Sequence, residues 1–376
     1  MRKIIKNLDK PLLIVTIILF IFGLIMVFSA SNVTAYMSKA ASPYAFFIKQ
    51  SIFLAVGLVL FIFMIPISSK GYGRLSCLLM LGILATQALL PFFGVLRNNS
   101  RSWYDFGPVS YQPSEFMKVV SIIWLAYYYD RNKSKLNTYG KIFFPIAICI
   151  VSAILIFIEP DLGTMIIYGC IVAAIFFAQP IPFAVKAKTF FLAAAGGICV
   201  VLLLNSTGHS ILIDRQKERL NAGNPCDNLL TTGNQICNGY IAINNGGLTG
   251  VGLGNSTQKY LYLPEPYTDF IFCIIIEELG LVTGIGLILL YLFILWRILI
   301  IGRKSPTNIG ATMCYGVAFY IFVHIAVNLL GLFGLIPMTG VPLPFMSYGG
   351  SFTICLIAAL TVVQRVNIEN RLGENA

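Results

Sequence analysis

The chain has 376 residues, of which 57% are hydrophobic and only 11% are charged. Because a soluble domain is near half apolar and a quarter charged, this composition excludes a soluble protein and indicates a polytopic membrane protein. The formal net charge of +11 would suggest nucleic acid binding in a soluble protein. Here the basic residues lie mainly in short segments between apolar stretches, so we expect no nucleic acid partner.

Ten apolar segments have about the length that a bilayer-spanning helix needs. They lie near residues 11–30, 46–66, 75–94, 114–129, 142–158, 162–179, 188–205, 269–296, 311–333 and 351–364. Short basic connections around Lys70, Arg131 and Lys304 identify the cytoplasmic side, and ten crossings place both termini there. The predicted fold is therefore an all-α polytopic membrane protein with N- and C-termini cytoplasmic, forming a single transmembrane domain over residues 1–376.

Polar residues gather on the opposite, extracellular side. They occupy residues 96–113, 159–161, 207–268 and 334–350. The third segment is an extracellular loop between spans 7 and 8, longer than a simple connection. We interpret its amphipathic patches, 211–220 and 236–245, as interfacial helices. Cys226 and Cys237 lie in this loop, where a disulfide is permitted but not established by spacing alone.

The segment before the fourth span carries opposite charges. Pro113 followed by an acid is typical of a helix start, and Glu115 and Lys118 then lie three residues apart on one helix face. A local ion pair, with Trp103 as an interfacial aromatic, accounts for these residues without a function. Alternatively, Arg101 and Lys118 form a cationic mouth that binds a phosphate. The residues alone leave both interpretations open.

Two acids, Glu159 and Asp161, lie between the fifth and sixth spans almost without a loop. Aspartate is well suited to cap a helix N-terminus, so capping is the favoured role of Asp161, with a polar cavity as the alternative. Farther along, the glycine-rich run 246–254 could cradle a phosphate with backbone N–H groups. It does not fit a dinucleotide fingerprint, because no strand-then-helix unit surrounds it.

Asp269 stands where the long loop meets the eighth span. Carboxylates at or inside a bilayer are costly and are mostly functional. Glu277 lies eight residues farther along, about 12 Å along a helix axis, which is too far for an acid/base pair across one sugar. Glu278 points to the opposite side of that helix. We therefore expect Asp269 to act alone and Glu277 to be structural.

Prolines and glycines crowd the segment from Leu335 to Ser351, at the end of the ninth span. Irregular backbone at membrane depth is tolerated only when it is buried in protein or lines a cavity. The segment is therefore predicted to be a re-entrant element beside a site rather than a plain loop.

These segments together resemble the SEDS family (FtsW, RodA and SpoVE) over nearly the full length of the chain. The shared motifs are Arg101-Ser102-Trp103, Gln112-Pro113-Ser114-Glu115 with Lys118, Pro160-Asp161-Leu162-Gly163-Thr164, Asn245-Gly246-Gly247, Thr268-Asp269-Phe270, Glu277-Glu278-Leu279-Gly280 and Ser347-Tyr348-Gly349-Gly350-Ser351. Each is common alone, but all of them in this order are specific. One departure is Tyr267, which stands where the family usually has a histidine.

The resemblance implies a peptidoglycan glycosyltransferase of the bacterial cytoplasmic membrane. Such an enzyme polymerises lipid II on the outer face, with a class B penicillin-binding protein that cross-links the strands and with divisome or elongasome proteins. A divalent cation, Mg²⁺ or Mn²⁺, is the only cofactor suggested, and no metal ligand is assigned. Two alternatives stay open: a lipid II flippase or other transporter, and a scaffold without chemistry. The chain looks more like the FtsW branch than the RodA branch, so division is favoured over elongation.

The resemblance also assigns roles to residues. Asp269 matches the family's essential acid and is the expected catalytic base. Substrate binding is expected of Arg101, Trp103, Gln112, Lys118 and Ser347. Structural or supporting roles are expected of Glu115, Asp161, Tyr267 and Glu277.

Overall fold

The computed structural model describes residues 2–37, 42–97, 100–107, 110–136, 138–206, 226, 233–260 and 262–373. The amphipathic patch predicted at 211–220 lies outside these residues. The second patch, 236–245, falls within a helix that runs from residue 233 to residue 246.

Most of the described chain is helical. The helices are α1 (Arg2–Lys6), α2 (Lys10–Met37), α3 (Ala45–Met64), α4 (Ser69–Phe93), α5 (Pro113–Arg131), α6 (Tyr139–Ile158), α7 (Leu162–Ala178), α8 (Phe183–Ser206), α9 (Gly233–Gly246), α10 (Ile271–Arg303), α11 (Asn308–Leu332) and α12 (Gly350–Leu372). Hydroxyl side chains begin some of them: Ser68 accepts from Gly71 N before α4, and Thr307 accepts from Gly310 N before α11.

Ten of these helices, α2 to α8 and α10 to α12, cover the ten predicted segments. Within the described residues, seven helices are long and apolar enough to cross a membrane. They are α2, α3, α4, α6, α10, α11 and α12. Helix α7 is apolar but has only 17 residues, and α5 carries buried charges. A multi-pass membrane protein therefore follows, while the count of ten crossings stays a prediction.

A small antiparallel sheet interrupts the helices between α4 and α5. Its strands are β1 (Val95–Arg97), β2 (Ser100–Asp105) and β3 (Ser110–Tyr111), in the order β1-β2-β3. The prediction of an all-α fold is wrong at this point. The aromatic residues of β2 favour extended backbone, and the connection between α4 and α5 satisfies its own hydrogen bonds by pairing strands.

Three helices form the centre of the bundle. Helix α11 packs against both α5 and α12, and α12 also packs against α3. In the most apolar part of α12, 83% of the residues are buried, whereas only 17% are buried in the corresponding part of α3. Large apolar side chains such as Phe63 and Leu292 remain exposed on the outer helices, as expected of surfaces that face lipid. The central helices are thus shielded and can hold polar groups.

Helix α10 is broken near its N-terminal end. Gly280 has φ 83° and ψ 167°, so the helix stops there and restarts. The glycine-rich segment 247–252 fills the break: Val251 N donates to Glu277 O at 2.9 Å, and Leu281 N donates to Gly247 O at 2.9 Å. Backbone groups left unpaired by the break thus find partners, as burial requires. A continuous eighth span, as predicted from hydropathy, does not form.

Close approach explains why glycines recur at this junction. A Cβ on Gly246 would overlap Ile276 O, one on Gly250 would overlap Glu278 O, and one on Gly280 would overlap Leu248 O. The glycine-rich run therefore serves backbone packing within the protein, which is a different role from the phosphate cradle considered above. A disulfide joins Cys226 to Cys237 of α9, which confirms the bridge that spacing left open.

Candidate functional site

Asp269 lies in the turn immediately before α10, which begins at Ile271. It is half-buried, and the Thr268 hydroxyl donates to its Oδ1 at 3.0 Å. The span predicted to begin at residue 269 thus begins two residues later. Asp269 stands on turn backbone rather than on the helix itself, so its position depends on what holds that turn.

Three hydrogen bonds hold the backbone of the turn. Asn328 of α11 donates to Asp269 O at 2.9 Å and to Val341 O at 2.8 Å. Ser347 Oγ donates to Thr268 O at 2.5 Å, and the backbone N–H of Tyr348 donates to the carbonyl of the residue before Thr268 at 2.9 Å. In each of these three bonds the acceptor is a main-chain carbonyl oxygen. They fix the position of Asp269 without engaging its carboxylate.

The segment between α11 and α12 supplies two of these donors. It contains no helix or strand from residue 333 to residue 349, and most of residues 341–347 are buried. Tyr291 of α10 donates to Pro344 O at 2.5 Å, and Ser347 Oγ accepts from Leu343 N at 2.8 Å. The prediction of irregular backbone buried in protein is confirmed here.

The same segment leaves one side of the acid open. Gly340 has φ 73°, is exposed, and a Cβ built on it would stand 3.8 Å from Asp269 Oδ2. The left-handed conformation is one that favours glycine. Because no side chain projects from Gly340 over the carboxylate, a ligand can approach Asp269 from this side.

Tyr267 packs into an aromatic cluster. Its ring centroid lies 4.4 Å from that of Phe46 and 5.9 Å from that of Tyr348. Burial raises the pKa of the Tyr267 phenol, and the neighbouring Glu265 carboxylate, to which it is hydrogen-bonded, raises it further. The phenol therefore stays neutral at physiological pH. It fills the place of the family's usual histidine as a packing group.

A polar seam connects the start of α5 to the starts of α7 and α12. Gln112 N donates to Ser351 Oγ at 3.0 Å, and Gln112 Nε2 donates to Asp161 Oδ2 at 3.4 Å. Thr164 N donates to Asp161 Oδ1 at 3.0 Å. The capping role predicted for Asp161 is confirmed, and Gln112 is a buried link between helix ends.

Glu159, beside this seam, has an unusual environment. Its side chain is only 2% exposed, and both carboxylate oxygens lack a hydrogen-bond partner in the described residues. Burial raises the pKa of Glu159 to about 8, and the nearby Asp161 contributes in the same direction. Sequence reasoning missed this group because its neighbour Asp161 offered a simpler explanation for the pair.

Lys118 is buried and paired. Its Nζ lies 2.8 Å from Glu115 Oε1 and 3.0 Å from His324 Nε2, and the side chain is 1% exposed. The local ion pair considered above is therefore confirmed. Arg101, by contrast, is exposed on β2 and donates to Pro91 O at 2.9 Å. The two cations predicted to share one mouth occupy different environments.

Trp103 and Ser347 also occupy contrasting positions. Trp103 is half-buried on β2 and is paired with Val95 of β1, so it belongs to the three-stranded sheet. Ser347 is buried, and its hydroxyl is occupied by main-chain groups. Its observed contacts are with the protein rather than with a free surface.

Glu277 and Glu278, both fully buried, hold the glycine-rich segment in place. Glu277 accepts from the hydroxyls of Ser256 at 2.5 Å and Thr257 at 2.9 Å. Glu278 pairs with Lys259 Nζ at 3.0 Å and accepts from a serine hydroxyl of α2 through both oxygens. These contacts give both acids structural partners away from Asp269.

Residues that the sequence did not single out complete the buried polar network. They are Ser29, Lys259, His324 and Asn328. Each lies in or beside an apolar stretch, and such placement of a polar residue was the available signal. In the part of the chain that the structure describes, no three His, Cys, Asp or Glu side chains converge to hold a metal ion.

Comparison with known proteins gives consistent matches over the whole chain. The sequence model described as "Cell cycle protein" (FTSW_RODA_SPOVE) matches residues 10–372. Stage V sporulation protein E of Bacillus subtilis is 36% identical over 367 residues, covering 96% of this chain and 98% of that protein. A Bacillus subtilis protein named probable peptidoglycan glycosyltransferase FtsW is 33% identical and covers 100% of this chain and 94% of its own length.

Solved structures share the fold. One of them comes from a structure of a peptidoglycan synthase complex that coordinates polymerization and crosslinking. It superposes with a TM-score of 0.73 at 22% sequence identity, and the match covers 96% of this chain and 98% of that chain. A crystal structure of the rod shape determining protein RodA of Thermus thermophilus gives a TM-score of 0.68 at 22% identity, covering 96% and 97%. At this level of identity the likeness concerns the architecture of the bundle.

Proposed function

The chain belongs to the FtsW/RodA/SpoVE family, and we propose that it is a peptidoglycan glycosyltransferase of the bacterial cytoplasmic membrane. Its substrate is lipid II, which it polymerises into glycan strands on the outer face. The observation that carries the proposal is Asp269: a half-buried carboxylate on a backbone-clamped turn, with open space beside Gly340. The relatives named above supply the reaction class.

The proposed reaction is glycosyl transfer with inversion. Asp269 acts as general base and takes the proton from the 4-hydroxyl of the acceptor sugar. The oxygen of that hydroxyl forms a bond to the anomeric carbon of the lipid-linked strand, while the bond from this carbon to the pyrophosphate oxygen breaks. The leaving group departs as undecaprenyl pyrophosphate. Because a pyrophosphate leaves without needing a proton, no second acid is required beside Asp269.

Clamping the turn supports this role for Asp269. A base must lie within hydrogen-bonding distance of the proton it removes, so small displacements lower the rate steeply. Asn328 and Ser347 hold the main chain on either side of the carboxylate. Ser347, predicted to bind substrate, therefore supports the reaction by positioning Asp269.

The leaving pyrophosphate needs positive charge nearby. Arg101 is exposed on the outer sheet, so we propose that it binds the phosphate from the water side. Trp103, on the same strand, would lie against the sugar or the lipid at this surface. Lys118 is deeper and already balanced by Glu115, so it would meet the substrate only where a group enters between α5 and α11.

The partner proposed for this chain is a class B penicillin-binding protein, which would cross-link the strands that this enzyme makes. Support comes from the fold shared with a chain of a peptidoglycan synthase complex. The relatives named stage V sporulation protein E and FtsW favour a function in division or sporulation over elongation. Depletion of the protein in cells distinguishes these roles, since filaments indicate division and rounded cells indicate elongation.

A polymerisation assay tests the proposal. Purified protein is mixed with a class B penicillin-binding protein and labelled lipid II, and glycan strands are resolved on a gel. Wild type should form polymer, and Asp269→Asn should reduce the rate at least about a hundredfold, the order expected when general-base catalysis is lost. The matched control is Asp105→Asn, an exposed acid on β2, which should polymerise at a rate close to that of wild type.

The two alternatives predict different results. A flippase would move fluorescent lipid II across the membrane of vesicles without forming polymer. A scaffold without chemistry would support the growth of cells depleted of the native protein even when it carries Asp269→Asn. Polymer formation by Asp269→Asn at the wild-type rate would exclude the assigned base.

A further inference from the structure

A buried lysine between α5 and α11 has two partners from two helices. Glu115 lies one turn away on α5, and His324 lies on α11. The Lys118 and His324 side chains are 1% and 0% exposed. A lone buried ammonium is costly, so each of its hydrogen bonds contributes to where it stands. The proposed reaction assigns no role to His324, but the hydrogen bonds of its two ring nitrogens indicate one.

The hydrogen bonds of His324 determine which ring nitrogen carries the proton. Nδ1 lies 2.8 Å from Tyr320 O, and a carbonyl oxygen only accepts hydrogen bonds. Nδ1 must therefore carry the hydrogen. In a neutral imidazole Nε2 is then the acceptor, and it receives an N–H of Lys118 at 3.0 Å. In a doubly protonated ring Nε2 would also be a donor, and its hydrogen would point at the Lys118 ammonium, which cannot accept it. This arrangement therefore excludes the charged ring.

We propose that neutral His324 is a positioning residue that holds the Lys118 ammonium in place under the site. The proposal rests on the proposed function, in which Lys118 would meet a substrate group that enters between α5 and α11. Helix α11 connects the two levels: Asn328, one turn above His324, binds the main chain of Asp269. Four residues of helix separate them by about 6 Å along the axis.

Glu115 alone would not hold the ammonium in this place. Its Oε1 accepts from Lys118, but its Oε2 is buried and has no hydrogen-bond partner among the described residues, so a released ammonium would move to bridge both oxygens on α5. His324 pulls from the opposite helix and keeps Nζ between α5 and α11. The Tyr320 ring, 5.9 Å from Nζ, adds attraction on the same side.

Two amide substitutions separate the two bonds of the imidazole. In His324→Gln the longer side chain places its oxygen near the position of Nε2, so the bond from Lys118 is kept. In His324→Asn the shorter side chain reaches the position of Nδ1, so the bond to Tyr320 O is kept and the bond from Lys118 is lost. Both replacements are polar amides at one position, which makes each the control for the other.

The measurement is the rate of lipid II polymerisation, with kcat and KM determined separately. We expect His324→Gln to keep at least about a third of wild-type kcat/KM and His324→Asn to lose about tenfold or more, the effect of one hydrogen bond to a charged group. Equal activity of the two variants would overturn the proposal, because a purely structural histidine would not discriminate between them.

Folding is checked by gel filtration in detergent. If His324→Asn does not yield monodisperse protein, His324→Gln decides alone: a folded glutamine variant that has lost more than tenfold activity refutes the positioning role. Wild type controls for the wider proposal. If wild type makes no polymer while it moves labelled lipid II across vesicles, the proposed function fails, and a difference between the two variants in that transport still measures the role of His324.

Discussion

Replacing Lys259 by methionine should destabilise the protein more than almost any other single substitution outside the apolar core. Lys259 and Glu278 form an ion pair at 3.0 Å with exposures of 1% and 0%, and Lys259 Nζ also donates to Gly254 O at 2.6 Å. Lys259→Met leaves the Glu278 carboxylate buried with only a serine hydroxyl. Breaking a buried pair from one side costs about 3–5 kcal/mol, because an uncompensated charge remains.

The double variant Lys259→Met/Glu278→Gln is the matched control. With both charges removed, the desolvation penalty disappears, and we expect stability within about 1–2 kcal/mol of wild type. Equilibrium unfolding in mixed detergent micelles, followed by circular dichroism, gives the free energy of unfolding for each variant. If the double variant is as unstable as Lys259→Met, the loss comes from packing of the lysine stem, and the charge-burial reasoning is refuted.

Three further predictions concern Gly280, Glu159 and Asp161. Gly280→Ala should lower the free energy of unfolding by at least about 1–2 kcal/mol, because the φ of 83° disfavours a side chain and the Cβ would overlap a neighbouring carbonyl. The control is Gly286→Ala on the same helix, where a Cβ meets open space. This variant should be neutral or slightly stabilising in the same unfolding measurement. Glu159 has a folded-state pKa raised to about 8, so folding retains a proton that the unfolded chain releases above its ordinary pKa of 4.5. Its contribution to stability is therefore present below about pH 4.5 and is lost as the pH rises towards 8, and Glu159→Gln should flatten this part of the stability profile; an unchanged slope would contradict the assignment. Asp161→Ala should cost about 1 kcal/mol by removing the cap of α7, whereas Asp161→Asn should cost less, and equal losses would argue against capping.

Local signals in the sequence were sufficient for the helices and their caps. Hydrophobic segments indicated the positions of ten of the described helices, α2 to α8 and α10 to α12, because a segment that must satisfy its backbone inside lipid has few alternatives to a helix. Asp161 was recognised as a cap because the bond to Thr164 N spans three residues. Glu115 and Lys118 were recognised as neighbours for the same reason, since their pairing follows from helix periodicity.

Contacts between distant segments were beyond local reasoning. Asn328 binds the main chain of Asp269 across 59 residues, and Ser347 reaches Thr268 across 79. Hydropathy could not reveal the break at Gly280 either, because the whole stretch from Ile271 to Arg303 is apolar enough to be predicted as one span. The contact of Lys118 with His324 and that of Lys259 with Glu278 were missed for a related reason: a buried charge indicates that a partner exists but not which distant segment provides it.

The site separates positioning from chemistry. Asn328, Ser347 and the N–H of Tyr348 all bind main-chain carbonyls at residues 267–269, so the groups that hold the turn of Asp269 leave its carboxylate oxygens out of their hydrogen bonding. Donors on the oxygens of a base stabilise its ionised form and weaken it as a base, because they lower its pKa. The Thr268 hydroxyl is one such donor to Asp269. The three donors that hold the turn bind main-chain carbonyls and therefore position the acid without weakening it in this way.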